Sequence, residues 1–169
     1  MFGTDTWDNY DNGQYTNETL TEEFLSKAKT QSQKDTIMKV MHLWHTEKYL
    51  PTNKTMIDFI INLRQNGYHT YILSNAPYDV PVEIEARGIG KLFDGKVFSC
   101  NLHINKPDSR IYENIISTYN LNPEECIFLD DKVDNIEAAK KFGIHGIVYN
   151  KSLHNEVISS LKEDYNLNL

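Results

Sequence analysis

The spacing of apolar positions changes near residue 51. Before it they recur at helical intervals. Phe24, Leu25 and Ala28 form one short face, and Ile37, Val40, Met41 and Trp44 lie along another. Thr19 and Glu22 precede the first face at the spacing of a capping box, in which each side chain satisfies the other's free backbone N–H. The second face predicts a helix over 33–49, ended by Pro51. No segment of the first fifty residues carries a strand signal. From residue 52 helical and extended patterns alternate. Met56, Phe59, Ile60 and Leu63 predict a helix over 52–66, stopped by Gly67. Extended segments follow at 69–73, 96–100, 126–129 and 144–148. The helices predicted between and after them cover 80–87, a stretch opening at Pro107 with Ile111, Ile115, Ile116 and Tyr119 inward, 133–142 and 152–165. Gly143 is expected at the C′ position of the helix before it.

Strands that alternate with helices, and are apolar on both faces, belong to a parallel sheet covered by helices. The expected fold class is therefore α/β, with a helical cap over 1–50 and an α/β core over 51–169. Sites in such folds lie beyond the carboxyl ends of the strands. That directs attention to Ser74-Asn75, the loop 100–106, Asp130-Asp131 and Tyr149-Asn150.

Composition narrows the partners. The chain has 169 residues with 17 Lys+Arg against 24 Asp+Glu, a formal net charge of −7. No run of basic residues exists to grip nucleic acid or an anionic membrane, so neither is expected. The stretch 56–63 is among the longest apolar candidates, and polar residues break it well short of a bilayer span. The polar, acidic N-terminus reads as neither signal nor transit peptide. Cys100 and Cys126 do not make a disulfide framework, which favours a reduced, cytoplasmic setting.

Asp130-Asp131 directly follows the apolar run 126–129. Two carboxylates at a strand end repel unless a cation sits there, and a hard ion such as Mg²⁺ suits them. A helix N-cap pair would explain them equally well. Asp134-Asn135, within a turn, can orient that loop. Ser74-Asn75 brings a hydroxyl, an amide and backbone N–H groups suited to a phosphoryl oxygen, or forms an ordinary turn. Pro107 forces Lys106 toward an extended conformation, from which its ammonium can lie across the strand ends. His42 and His45, i and i+3 on one helix, lack a third metal ligand. Cys100-x-x-His103 reads as a buried small residue beside a loop histidine. Tyr10, Tyr15, Trp44 and Tyr49 read as cap core, one or two of them facing a substrate pocket.

The order of these groups resembles the haloacid dehalogenase (HAD) superfamily. A hydroxyl ends the first strand, within ILSNAP (72–77). A lysine opens a helix, within NKPDSRIY (105–112). A carboxylate pair ends the third strand, within FLDDKVDNIEAAKKFG (128–143). The phrasing is similar to the branch that holds the phosphatase domain of soluble epoxide hydrolases, and Trp7, Gly13 and Phe24 match that branch's small helical cap. The resemblance implies a Rossmann-like core and a Mg²⁺-dependent phosphatase acting on small phosphorylated metabolites through an aspartyl-phosphate. Ser74 would bind the phosphoryl group and Asn75 would help hold the substrate. Lys106 would neutralise charge, Asp131 would bind Mg²⁺, and Asp130 would orient Lys106 or the metal's water shell. A response-regulator receiver combines similar groups but places its carboxylate pair first in the chain.

The family's first motif, an apolar strand ending in Asp-x-Asp, is not found. Met1–Asp8 contains Asp5 and Asp8 in neither that spacing nor a strand context, and both are expected in the cap's first turn. Against the family pattern the chain is expected to begin about twenty residues late. Two expectations follow. The central strand, between those ending at Ser74 and Asp130, is missing, so that its neighbours close up, a partner such as a second copy fills the gap, or the chain is marginal. The nucleophile is missing too, so the chain is inactive alone and its Mg²⁺ binding weak or absent. The alternative is an inactive homologue serving as a binding or interaction module.

Overall fold

A computed structural model describes residues 4–43 and 51–168. Three helices come first: α1 (Thr4–Asp11), α2 (Asn17–Lys27) and α3 (Gln31–Leu43). They close on Tyr10, Leu20, Phe24 and Met41, with Trp7, Tyr15 and Ile37 packed around. The Trp7 and Phe24 rings meet edge-on at 5.6 Å. Val40, expected on the inward face, stays largely exposed. The predicted continuation of α3 to residue 49, with Trp44, His45 and Tyr49, lies outside the described residues.

The expected Thr19–Glu22 capping box is corrected by one turn. Thr16 is the N-cap and Thr19 its reciprocal partner. Thr19 N–H donates to Thr16 Oγ1 at 3.2 Å, and Thr16 N–H donates to Thr19 Oγ1 at 2.8 Å. A threonine hydroxyl at the third helical position can perform the task usually given to glutamate, which drew the helix start upstream. Thr30 and Gln33 make the same reciprocal pair ahead of α3, at 3.2 Å in each direction.

The remaining elements alternate as expected: α4 (Lys54–Gln65), β1 (Tyr71–Ser74), α5 (Asp79–Ala86), β2 (Gly95–Phe98), α6 (Ser99–Leu102), α7 (Ser109–Tyr119), β3 (Ile127–Asp130), α8 (Val133–Lys140), β4 (His145–Val148) and α9 (His154–Glu163). The short α6 was not anticipated, and it takes Cys100 out of the predicted second strand. α7 starts two residues after Pro107, because Asp108 takes the N-cap and accepts from Arg110 N–H at 3.0 Å. Gly143 adopts φ +87° and closes a turn after α8, which itself ends at Lys140.

Strand residues alternate between two helical layers, as period-two side-chain geometry requires. Ile127 and Leu129 pack with Phe59, Val157 and Leu161 of α4 and α9. Phe128 between them packs with Ile111, Tyr112 and Ile115 of α7 and Ala138 and Ala139 of α8. On β1, Tyr71 and Leu73 face the α7 layer, while Ile72 faces Ala76, Phe98 and Cys100. All pairing is parallel. β1 pairs with β2 from Tyr71 opposite Gly95 to Ser74 opposite Phe98, and β3 pairs with β4 from Ile127 opposite His145 to Asp130 opposite Val148. The two pairs form separate two-stranded sheets among the described residues. The strands ending at Ser74 and Asp130 thus do not close on one another.

Candidate active site

Parallel strands bring their carboxyl ends to one edge, and there the chain gathers the groups picked out by sequence. Lys106 stands at the centre. Its Nζ donates to Leu73 O at 2.7 Å and to Asp130 Oδ2 at 2.6 Å, joining the end of β1 to the end of β3. Both side chains of this ion pair are only 6% exposed. The ammonium also lies 5.1 Å from the centre of the Phe128 ring, a cation–π distance. Burial pushes Lys106 below the usual lysine range, against the upward pull of Asp130 and Asp131. Burial pulls Asp130 upward, but the Lys106 ammonium and the Lys132 N–H outweigh it and hold the carboxyl below the usual range.

The two carboxylates differ in kind. Asp130 is structural in its contacts: besides Lys106, its Oδ1 accepts from Lys132 N–H at 2.8 Å and Asn135 Nδ2 at 2.9 Å. Asn135 is buried, and its carbonyl accepts from Tyr112 Oη at 2.9 Å, so α7 and α8 brace the strand end together. Asp131 and Asp134 are exposed. No hydrogen bond within the described residues engages the Asp131 carboxylate, which leaves both its oxygens available to a ligand.

Ser74 keeps a half-buried hydroxyl whose contact with Asn75 O, at 3.4 Å, is long. Asn75 turns its amide to the backbone of Lys106: Nδ2 donates to Lys106 O at 2.9 Å, and Lys106 N–H donates to Oδ1 at 2.7 Å. That doubly bonded clasp fixes where the lysine chain leaves the loop. Both ends of the Asn75 amide are thereby engaged by the Lys106 backbone.

Helix α1 lies over this edge, tied by backbone acceptors. Asn105 Nδ2 donates to Asp8 O at 2.8 Å, Ser99 Oγ donates to Asp11 O at 2.5 Å, and His103 Nδ1 meets Asn12 O at 2.9 Å. Ser99 Oγ also accepts from Ala76 N–H at 2.9 Å, linking the cap to the loop after β1. Gly13, at φ +77°, brings its Cα so close to Cys100 O that a Cβ would stand 2.7 Å from that oxygen. Asp5, Asp8 and Asp11 are all on this helix and none on a strand. Burial pushes the Asp11 carboxyl above its usual range, opposed by Lys132. Tyr10 Oη donates to Asp79 Oδ2 at 2.9 Å. Ser99 and the Tyr10–Asp79 contact were not singled out from sequence, and Asn105 entered only as the first residue of the motif 105–112; Ser99 directly follows β2, and Asp79 opens the helix after β1. Of the remaining candidates, Cys100 is buried with a free thiol, His42 is exposed, and Tyr10 and Tyr15 pack in the helical cluster.

This arrangement defines the class. The chain belongs to the haloacid dehalogenase-like hydrolases, whose family model matches residues 7–143. Among curated relatives it is 32% identical over 145 residues to acyl-CoA dehydrogenase family member 10 of Mus musculus, covering 83% of this chain and 13% of that one. It is 31% identical over 99 residues to the sesquiterpene phosphatase astK of Aspergillus oryzae, covering 58% and 50%. With bifunctional epoxide hydrolase 2 of Mus musculus the identity is 28% over 116 residues, covering 66% and 20%. The chain thus spans half or less of each of these relatives. A HAD-like hydrolase from Porphyromonas gingivalis superposes with a TM-score of 0.70 at 22% identity, covering 94% of this chain and 79% of that one. A HAD family enzyme from Bacteroides thetaiotaomicron, solved with magnesium and inorganic phosphate, gives 0.64 at 19%, covering 84% and 73%. The resemblance drawn from three short motifs is borne out. No described helix is long and apolar enough to cross a membrane.

Proposed function

We propose that the carboxyl edge formed by Ser74, Lys106 and Asp131 is a phosphate-binding site of a phosphatase acting on small phosphorylated metabolites, with the attacking carboxylate not supplied by residues 1–169. The observation that carries the reading is the buried Lys106 ammonium spanning the ends of β1 and β3, where Ser74 is the last residue of one strand and the exposed Asp131 directly follows the other. Fixed positive charge beside a hydroxyl donor is what a phosphoryl group needs, and such stabilisation dominates phosphoryl transfer. The likeness to a sesquiterpene phosphatase supports the same chemistry.

The donor set bears on the expected Mg²⁺. Asp130 has its oxygens engaged by Lys106, Lys132 and Asn135, so Asp131 is the carboxylate of the pair left for a cation. No group of three or more His, Cys, Asp or Glu suited to a metal occurs among the described residues. Mg²⁺ held by one carboxylate would keep most of its waters and take further oxygens from phosphate. The described residues therefore do not make a complete Mg²⁺ site, and binding of the ion alone is expected to be weak.

Orthophosphate titration followed by ³¹P line width tests the reading. Saturable broadening is expected. Ser74→Ala should weaken it, and Asp131→Asn should remove any enhancement by Mg²⁺. Broadening that is absent, or indifferent to both substitutions, overturns the site. Turnover of an aryl phosphate by the purified chain is expected to be negligible.

A further inference from the structure

Ser99 opens α6 directly after β2 and is fully buried, although its side chain is a hydroxyl. Its Oγ donates to Asp11 O at 2.5 Å, accepts from Ala76 N–H at 2.9 Å and lies 3.5 Å from Ala76 O. A serine hydroxyl has one hydrogen to give. The shorter contact takes it, so the hydrogen points to the cap and a lone pair faces the loop after β1. Asp11 ends α1, and its carbonyl needs such a donor. The last carbonyls of a helix lack intrahelical partners, and the N–H four residues on, that of Tyr15, goes to Asn9 O instead. His103 and Asn105 serve two other carbonyls at this end of α1, Asn12 O and Asp8 O. Of the three side chains, only Ser99 also bonds the loop 74–77 among the described residues.

We infer that Ser99 is a positioning residue of the carboxyl edge: its hydroxyl couples the seating of helix α1 to the backbone of loop 74–77, and so to the placing of the Ser74 hydroxyl. The part this plays in binding rests on the proposed phosphate site; the coupling itself does not. The loop is held at two points. Asn75 is clasped to the Lys106 backbone, and Ala76 N–H is held by Ser99. Ser74 is the residue just before them, so its direction follows theirs. A hydroxyl that donates is a better acceptor, because the two bonds polarise one another. With α1 seated, Ser99 therefore holds the Ala76 N–H more firmly. With α1 displaced, the nearest acceptor left for its hydrogen is Ala76 O, and the hydroxyl must turn toward the loop it was bracing. Gly13 keeps α1 within reach: a Cβ there would stand 2.7 Å from the carbonyl oxygen of Cys100, the residue next to Ser99.

Two measurements on the purified chain test this: the Ala76 amide resonance reads the coupling, and orthophosphate titration reads its use. His103→Asn loosens α1 by shortening the contact to Asn12 O, and asparagine tolerates the left-handed backbone at that position. Gly13→Ala loosens it more strongly; should that variant fail to fold, His103→Asn decides. The Ala76 amide should shift in both, though neither residue bonds it, and both shifts should vanish in a Ser99→Ala background. Ser99→Ala should bind orthophosphate about three- to tenfold more weakly, the worth of one net hydrogen bond, with no further loss on adding His103→Asn. Thr16→Ala, which weakens the cap of α2 away from this edge, should lower the melting temperature and change neither readout. An Ala76 shift that persists without the Ser99 hydroxyl, a phosphate affinity indifferent to Ser99→Ala, or equal changes in Thr16→Ala overturns the inference. A wild-type chain that binds no orthophosphate refutes the phosphate site instead, and the Ala76 resonances then decide the coupling by themselves.

Discussion

Lys106→Met isolates the ion pair that joins the two half-sheets. Methionine keeps most of the aliphatic stem beside the Phe128 ring and removes the charge. It leaves Asp130, 6% exposed, with the Lys132 N–H and the Asn135 amide but no counter-charge. Removing one partner of a buried pair costs about 3–5 kcal/mol, against about 0–1 kcal/mol for a surface bridge. At about 2–4 °C per kcal/mol for a chain of this length, the melting temperature should fall by about 6–20 °C. Asp130→Asn should cost less, since the lysine left behind can release its proton and still donate to Leu73 O. The double variant should be less destabilised than the sum of the singles, because neither partner is then a stranded charge. Urea unfolding of all four proteins at neutral pH, followed by circular dichroism, measures the cycle. A loss below about 1 kcal/mol for Lys106→Met, or strict additivity, would refute the claim that this pair is desolvated and coupled.

Further outcomes are expected. Lys106 has a folded pKa below its unfolded value, so above that folded pKa the unfolded chain binds more protons. Its contribution to stability should therefore rise as pH climbs toward about 10.4. Asp130 shifts downward, so its contribution is present above about pH 3.9 and lost as pH falls through the folded value. Unfolding curves of wild type and Lys106→Met across pH should diverge in the alkaline window, and parallel curves there would count against it. Gly13→Ala should cost about 1–3 kcal/mol through its left-handed φ, and more if Cys100 O cannot retreat, as read by thermal melting. Thr16→Ala should lose about 0.5–2 kcal/mol with the α2 cap, while Glu22→Ala should cost nothing comparable. Asp131→Asn should leave the melting temperature unchanged. If the chain hydrolyses an aryl phosphate in a manner that Asp131→Asn abolishes, residues 1–169 hold their own nucleophile and the proposed division of the site fails.

Local pattern alone placed much of this protein. Alternation of apolar runs with helical spacing located the four strands to within two residues and announced their parallel order, because strands buried on both faces have no polar side to show. The motifs around Ser74 and Asp130 were legible for the same reason: each follows an apolar run and ends at a turn, where parallel strands must collect their carboxyl ends, whereas Lys106, eight residues past β2, was marked by the proline after it. Residue spacing alone did not distinguish Asp130 from Asp131; only the family resemblance gave Asp130 the task of orienting Lys106. Adjacent residues at a strand end point opposite ways, and only the packing of α7 and α8 turned one toward Lys106 and the other to solvent. It could not show that Asn75 clasps Lys106, a bond spanning 31 residues, nor that Ser99 and Asn105 tie the cap across about ninety. That residues 1–50 carry no Asp-x-Asp spacing was readable directly, but how β1 and β3 lie relative to each other was not. Whether β1 and β3 close up or stand apart depends on helices α4 and α7, which hold the strands from both faces, and that decision belongs to tertiary packing.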